Sequence, residues 1–273
     1  MNKVPCSIGI LTFNSASSLM ACLESVKEFD DVVICDGGST DETVAIASNY
    51  KCKIIYQDQL FKNPNNTISD FSGVRNQQLV AAKYDWFMFL DSDEYVSPEL
   101  VEEIRKVVTK NLSQSAIFMV PRKYVKDGVI INCATTYPNY QTRFFNKKAV
   151  NGFVRSLHEK IEPKKGFEIS KLKSCEYVPL ESPEALKKRW SRYLEIERKK
   201  EGTESFKKWF YSGFLYHLSI CVLYCFRYIR NSFFCRGTKM PFSYEALRLW
   251  YNLEVIKIGF RHILNKPPKN THK

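Results

Sequence analysis

The sequence lacks the close cysteine spacings that build metal knots or disulfide frameworks. Its nine cysteines (Cys6, Cys22, Cys35, Cys52, Cys133, Cys175, Cys221, Cys225 and Cys235) fall singly, with no Cys-x-x-Cys pair. Scattered thiols suit a reducing compartment. Cys221 and Cys225 can share a helix face, but no His or further Cys stands near them to complete a zinc site. Met1 to Pro5 runs straight into an apolar strand-like stretch, without the basic region, apolar core and small-residue cleavage site of a secretion signal, so none is expected. Neither a G-x-G-x-x-G turn nor a Walker A loop occurs, which removes the dinucleotide-binding and P-loop readings. Internal repeats and low-complexity tracts are missing as well.

What is present is a 273-residue chain with 44% hydrophobic residues, enough for one large α/β domain and an appendage. The net charge of +12 is unevenly placed: residues 1–178 hold 22 Lys+Arg against 21 Asp+Glu, whereas residues 179–273 hold 19 against 8. A near-neutral body with a basic, aromatic-rich tail points to anionic lipid or acidic glycan as partner and away from nucleic acid. The plainer reading of the same charge is a solvated surface on a helical extension.

Apolar runs bounded by turn residues recur at Ser7–Thr12, Val32–Cys35, Lys53–Tyr56 and Trp86–Leu90. Between them, Ser17–Glu28, Asp41–Asn49, Ser69–Ala82 and Pro98–Lys110 show helical spacing. Ser97 before Pro98 reads as an N-cap followed by proline at the first helical position. This βαβ alternation predicts a mainly parallel sheet, with ligand chemistry at the carboxyl ends of its strands. Strand-like pieces follow at Ile117–Val120, Val129–Ile131 and Thr142–Phe145, and after Pro179 the chain turns helical.

The strand Trp86-Phe-Met-Phe-Leu runs directly into Asp91-Ser-Asp93-Glu94. Three carboxylates in four positions repel one another unless positive charge sits among them. A hard divalent cation, Mg²⁺ or Mn²⁺, would relieve the repulsion with substrate phosphate completing its shell. Acidic side chains placed favourably before a helix would read the same way. A second strand, Val32-Val-Ile-Cys, ends in Asp36-Gly-Gly-Ser-Thr-Asp41, where two glycines allow close backbone approach and Ser39 or Thr40 is placed to cap the next helix. Such a turn holds a nucleotide or is simply a tight connection.

Taken in order, Leu11-Thr-Phe-Asn14, Asp36-Gly-Gly-Ser-Thr-Asp41, Gly73-Val-Arg75-Asn76 and Leu90-Asp-Ser-Asp-Glu94 resemble the amino-terminal half of family 2 glycosyltransferases of the GT-A fold, over roughly residues 4–160. The resemblance implies that Thr12, Asn14 and Asp36 hold base and ribose, that Arg75 approaches the diphosphate, and that Asp91 and Asp93 bind the metal and donor ribose. The cluster Tyr140-Gln141-Thr-Arg143-Phe144-Phe145, followed by Gly152 and Leu157-His158-Glu159, resembles a bacterial subgroup that glycosylates the lipopolysaccharide core and related glycolipids. By that resemblance His158 is a third metal ligand or a phosphate contact, and Glu159 is the base, with inversion at the sugar carbon. A surface polar pair is the plain alternative for His158-Glu159.

The expected organisation is therefore a GT-A catalytic domain at 1–178 and a membrane-associating helical extension at 179–273. The enzyme would be cytoplasmic, peripheral on the inner face of the cell membrane, with a nucleotide-diphosphate sugar donor and a glycan or lipid-linked acceptor. A sugar nucleotidyltransferase would need a Gly-rich basic loop after the first strand, where Thr12-Phe-Asn-Ser-Ala-Ser stands instead. A noncatalytic scaffold would not need Asp91, Asp93, His158 and Glu159 together. Trp209 to Phe226 contains no charged side chain, with Lys207 and Lys208 before it and Arg227 and Arg230 after, and reads as an interfacial helix, with a spanning helix or one buried against the catalytic domain as the alternatives.

Overall fold

The computed structural model describes residues 2–109, 115–156, 159–199 and 210–264. Two compact units divide the chain, the first formed by Met1–Tyr124 with Pro138–Pro179 and the second by Val125–Tyr137 with Leu180–Lys273.

The first unit opens with the expected alternation: β1 (Val4–Thr12), α1 (Ala16–Ser25), β2 (Phe29–Asp36), α2 (Thr43–Asn49), β3 (Lys53–Tyr56), α3 (Phe71–Ala81) and β4 (Trp86–Asp91). A short β5 (Tyr95–Val96) and α4 (Pro98–Val108) precede the long β6 (Ser115–Lys126). The sheet runs β3-β2-β1-β4, all parallel. It continues into β8 (Tyr140–Asn146), antiparallel to both β4 and β6. This is the mixed α/β architecture of the GT-A fold. Strands covered on both faces are buried residue after residue, which is why β1 and β4 read as continuous apolar runs. Ile8, Ile10, Leu19, Leu23, Phe29 and Leu100 pack on one side, and Phe87, Phe89, Ile117, Phe145 and Phe153 on the other. Gly9 makes room for this second layer, since a Cβ there would lie 2.5 Å from the Phe87 ring.

Ser97 caps α4 as read from the sequence, accepting from the Leu100 N–H at 3.1 Å with Pro98 in the first turn. The cap read at α2 differs: Ser39 Oγ donates to Asp36, and it is Asp41 that accepts from the Thr43 N–H, at 3.0 Å. An aspartate two residues before the first helical N–H takes this role because the Ser39 oxygen already accepts from the Asn14 N–H at 2.8 Å. Small strands complete the unit: β9 (Val150–Val154) pairs with β10 (Lys160–Pro163), β11 (Glu168–Lys171) adds to β6, and β12 (Glu176–Pro179) pairs with β5.

In the second unit, β7 (Val129–Ile130) pairs with the end of β6, and α5 (Pro183–Lys199) leads the helices. A π-helical turn at Phe210–Leu215 runs into α6 (Tyr216–Phe234), followed by α7 (Phe242–Leu264). Glu245 on α7 is buried and accepts from the Thr135 N–H at 2.9 Å, while Arg227 on α6 donates to the Thr135 carbonyl at 2.9 Å. Cys133 and Cys235, read above as separate thiols, are joined as a disulfide. Their separation of 102 residues is why spacing alone missed the pair. Trp209, Lys207 and Lys208 lie outside the described residues. Among the described residues no helix is long and apolar enough to cross a membrane.

Candidate functional site

Strand register sets the site. Thr12 lies opposite Asp36, and Leu11 opposite Asp91, so the carboxyl ends of β1, β2 and β4 lie along one edge. Thr12 and Asp36 are both buried, with the Thr12 hydroxyl donating to Asp36 at 2.8 Å. Asp36 also accepts from the Gly38 and Ser39 N–H groups at 2.8 and 2.7 Å and from the Ser39 hydroxyl at 2.6 Å. Asn14 is exposed and sits at φ 48°, and its side-chain oxygen accepts from the Thr40 N–H at 2.8 Å. The loops after β1 and β2 are thus stapled to each other through Asn14, Ser39 and Asp36. Gly38, at φ 91°, takes the left-handed conformation this turn requires.

At the end of β4 the chain turns tightly, the Glu94 N–H donating to the Asp91 carbonyl at 3.0 Å. Ser92 ties this turn to the first loop, its hydroxyl 2.9 Å from that of Ser15. Asp93 is exposed, whereas Glu94 is buried. Arg75, fully buried on α3, donates to Asp91 Oδ1 at 2.6 Å and to the Leu90 carbonyl at 3.3 Å. Arg143, on β8, reaches Asp91 Oδ2 at 3.4 Å and Glu94 Oε2 at 2.8 Å. Both guanidiniums lie over the Phe89 ring at 4.7 Å from its centroid, so one ring contacts the two cations that grip one carboxylate.

The network extends inward. Arg122 on β6 pairs with Glu94 and lies 2.8 Å from Glu176, and the Nε of Arg143 lies 3.3 Å from the same Glu176 oxygen. Oε1 of Glu176 is thus within ion-pair reach of both guanidiniums, while neither Glu176 oxygen has an aligned donor. Burial works against ionising Asp91, yet Arg143, Arg75 and Arg122 override it and hold its pKa down at about 2. Burial dominates at Glu176 and pushes it up to about 7, the Arg143 charge opposing and Glu94 adding to the rise. Burial lowers Arg75, with Asp91 pulling the other way. For Arg143, burial is outweighed by Glu94, Glu176 and Asp91, which raise it.

Glu159 lies 3.6 Å from the Nε of Arg75, with its side chain 20% exposed. His158 lies outside the described residues. The approach of this segment to α3 is fixed by Asn76, whose amide accepts from the Phe153 N–H at 2.9 Å and donates to the Phe153 carbonyl at 3.0 Å. Gly152, at φ 119°, permits that contact, since a Cβ there would meet the Asn76 oxygen at 2.9 Å. The structure therefore brings Arg75, Asp91 and Glu159 into one chain of contacts beside Asp93, while Thr12, Asn14 and Asp36 form the adjoining stapled loops. Arg75, expected at a diphosphate, is committed here to Asp91. Sequence reasoning singled out neither Arg122 nor Glu176. Their one signal was a charged residue standing in each of two strand-like stretches.

A divalent cation needs hard oxygen donors, often one or two protein carboxylates with phosphate oxygens. Among the described residues no three His, Cys, Asp or Glu side chains cluster as a metal cage. Asp91 and Glu94 face guanidiniums, and Asp93 is exposed on the same turn. This oxygen-only donor set fits Mg²⁺ or Mn²⁺ shared between Asp93 and a bound diphosphate, and does not fit a closed protein site.

The family model described as Glycosyl transferase family 2 matches residues 7–170, more than half of the chain. A TPR repeat-containing protein of Synechococcus elongatus is 30% identical over 57% of this chain and 35% of its own length. The SPbeta prophage-derived glycosyltransferase SunS of Bacillus subtilis is 34% identical over 36% of this chain and 22% of its own. Hyaluronan synthase of Pasteurella multocida is 28% identical over 51% of this chain and 14% of its own. The chain thus spans about a third or less of the length of these relatives. Among solved structures it is similar to S. aureus TarS in complex with UDP-GlcNAc, at 17% identity and a TM-score of 0.49 over 93% of this chain and 89% of that one.

Proposed function

Because the chain belongs to glycosyl transferase family 2, we propose that it is a metal-dependent, inverting hexosyltransferase using a nucleotide-diphosphate sugar, UDP-linked, as donor. The acceptor is a hydroxyl of a glycan or lipid-linked glycan of the lipopolysaccharide-core kind, met at the inner face of the cell membrane. One observation carries the reading: the Asp91–Glu94 turn stands at the strand ends, with Arg75 joining Asp91 to Glu159.

In this reading the loops bearing Thr12, Asn14 and Asp36 receive base and ribose. Their mutual hydrogen bonds hold them ready, so little loop ordering remains to be done on binding. Asp93, with Asp91 behind it, would hold Mg²⁺ or Mn²⁺ against the donor diphosphate, where such an ion supplies electrophilic stabilisation of the leaving group. Asp91 is kept ionised and oriented by Arg75 and Arg143. Glu159 takes the proton from the acceptor hydroxyl as oxygen attacks the sugar carbon from the face opposite the nucleotide. Arg75, between Asp91 and Glu159, fixes how far the base stands from the donor-binding turn. His158 is kept as a further metal or phosphate contact.

The test is transfer from a panel of nucleotide sugars in the presence of Mn²⁺ or Mg²⁺. Glu159→Gln lowers turnover by about two to four orders of magnitude with donor affinity retained. Asp93→Asn loses metal-dependent donor binding as well as turnover. Wild-type turnover in Asp93→Asn at every metal concentration refutes the metal assignment, and joint loss of binding and turnover in Glu159→Gln refutes the base.

A further inference from the structure

The side of α6 that faces away from α7 is apolar along its length apart from Ser219. Leu215 just before it, then Leu218, Val222, Phe226, Ile229 and Phe233, recur at three- or four-residue steps, and all are exposed, Phe226 by 63% and Phe233 by 79%. The opposite side carries the polar anchors: Asn231 is buried, and His217 Nδ1 lies 2.7 Å from Asn252 of α7. A helix at a water boundary has the reverse arrangement, polar groups outward and apolar groups inward. Continuous exposed apolar surface of this kind marks an interface.

Charge decides what covers it. From residue 205 to residue 244 there is no Asp or Glu, while Lys207, Lys208, Arg227, Arg230, Arg236 and Lys239 fall in that span. Arg230 on α6 and Arg236 and Lys239 directly after it are exposed. A second copy of this chain would set like charge against like. A layer of anionic headgroups complements it, and insertion along the helix rather than across the bilayer fits the absence of any crossing helix among the described residues.

We propose that the outward face of α6 docks on an anionic lipid surface, with Phe226, Ile229 and Phe233 entering the acyl boundary and Arg230, Arg236 and Lys239 at the level of the lipid phosphates. The inserting face is not the whole stretch read as interfacial from the sequence. Tyr224 is half-buried, and Phe233 and Phe234, beyond the segment read there, extend the surface. Docking rests on the second unit alone and requires none of the catalytic assignments.

The experiment is flotation of the full chain with vesicles of phosphatidylglycerol in phosphatidylcholine, and with vesicles of phosphatidylcholine alone. The wild type floats with the anionic vesicles and is released by salt. The combined variant Phe226→Ser, Phe233→Ser lowers the partition coefficient by at least about tenfold, through loss of two apolar side chains from the interface. Arg236→Gln and Lys239→Gln each lower it about fivefold, equivalent to roughly 1 kcal/mol per basic residue. Because these side chains are exposed, circular dichroism and melting of the variants match the wild type, which separates lost docking from lost folding. Failure of the folded wild type to float overturns the proposal. Sedimentation then tells whether a second copy covers the face, as a dimer that Phe226→Ser, Phe233→Ser dissociates. Either result leaves donor binding, and with it the catalytic reading, to stand or fall separately.

Discussion

Replacing Arg143 by methionine removes one guanidinium from the centre of the charge network while keeping a long apolar side chain beside Phe89. Arg143 is 3% exposed and faces Asp91, Glu94 and Glu176, so its loss leaves buried carboxylates with fewer cations than they need. Breaking a buried ion pair from one side costs about 3–5 kcal/mol. For a unit of this size each kcal/mol moves the midpoint by about 2–4 °C, so thermal melting should fall by roughly 6–20 °C at neutral pH. Acid narrows the gap. Asp91 has its pKa held at about 2 against an ordinary 3.8, so its pairing stabilises the fold fully above 3.8 and is lost as pH falls toward 2. Differential scanning calorimetry of both proteins across pH provides the measurement. Arg143→Lys keeps the charge without the forked donor and is expected to fall between them. A methionine variant melting within about 2 °C of wild type at neutral pH would show that Arg122 and Arg75 suffice, and that the network is not cooperative.

Two further outcomes follow from individual side chains. Glu176, raised to about 7 from an ordinary 4.5, favours folding fully below 4.5 and loses that contribution as pH rises through 7. Glu176→Gln cannot ionise, so its melting temperature should decline less than the wild type's between about pH 5 and pH 8, and parallel pH profiles would rule the shift out. Ser97→Ala deletes the α4 cap and should cost about 1 kcal/mol, seen as a midpoint about 2–4 °C lower in thermal melts.

The parts of the fold with local causes were legible in the sequence. Lys53–Tyr56 and Trp86–Leu90 carry their strand character in their own side chains, and Ser97-Pro98 announces α4 within one turn. Asp91, Asp93, Arg75 and Glu159 were reached through ordered motifs. The ion network was not reached, because Glu94 meets Arg122 across 28 positions and Arg143 across 49, and no periodicity records a partner that distant. The α2 cap failed for a related reason: the Ser39 oxygen accepts instead from the Asn14 N–H at 2.8 Å, 25 positions away. Cys133 and Cys235 belong with these cases, each unremarkable where it stands.

Asn76 holds the segment leading to Glu159 by its peptide group at Phe153, as a neighbouring strand would, and takes no account of the side chains that come after. The constraint is positional: a small residue at 152 and an amide at 76 set the height at which the loop leaves the sheet. Lys160, directly after Glu159, pairs with Val154, so substitutions between them leave this mooring in place. Under the proposed assignment, in which Glu159 meets the acceptor, a loop exchanged into this chain with Gly152 and Asn76 intact should carry its acceptor preference along and leave the donor loops unchanged.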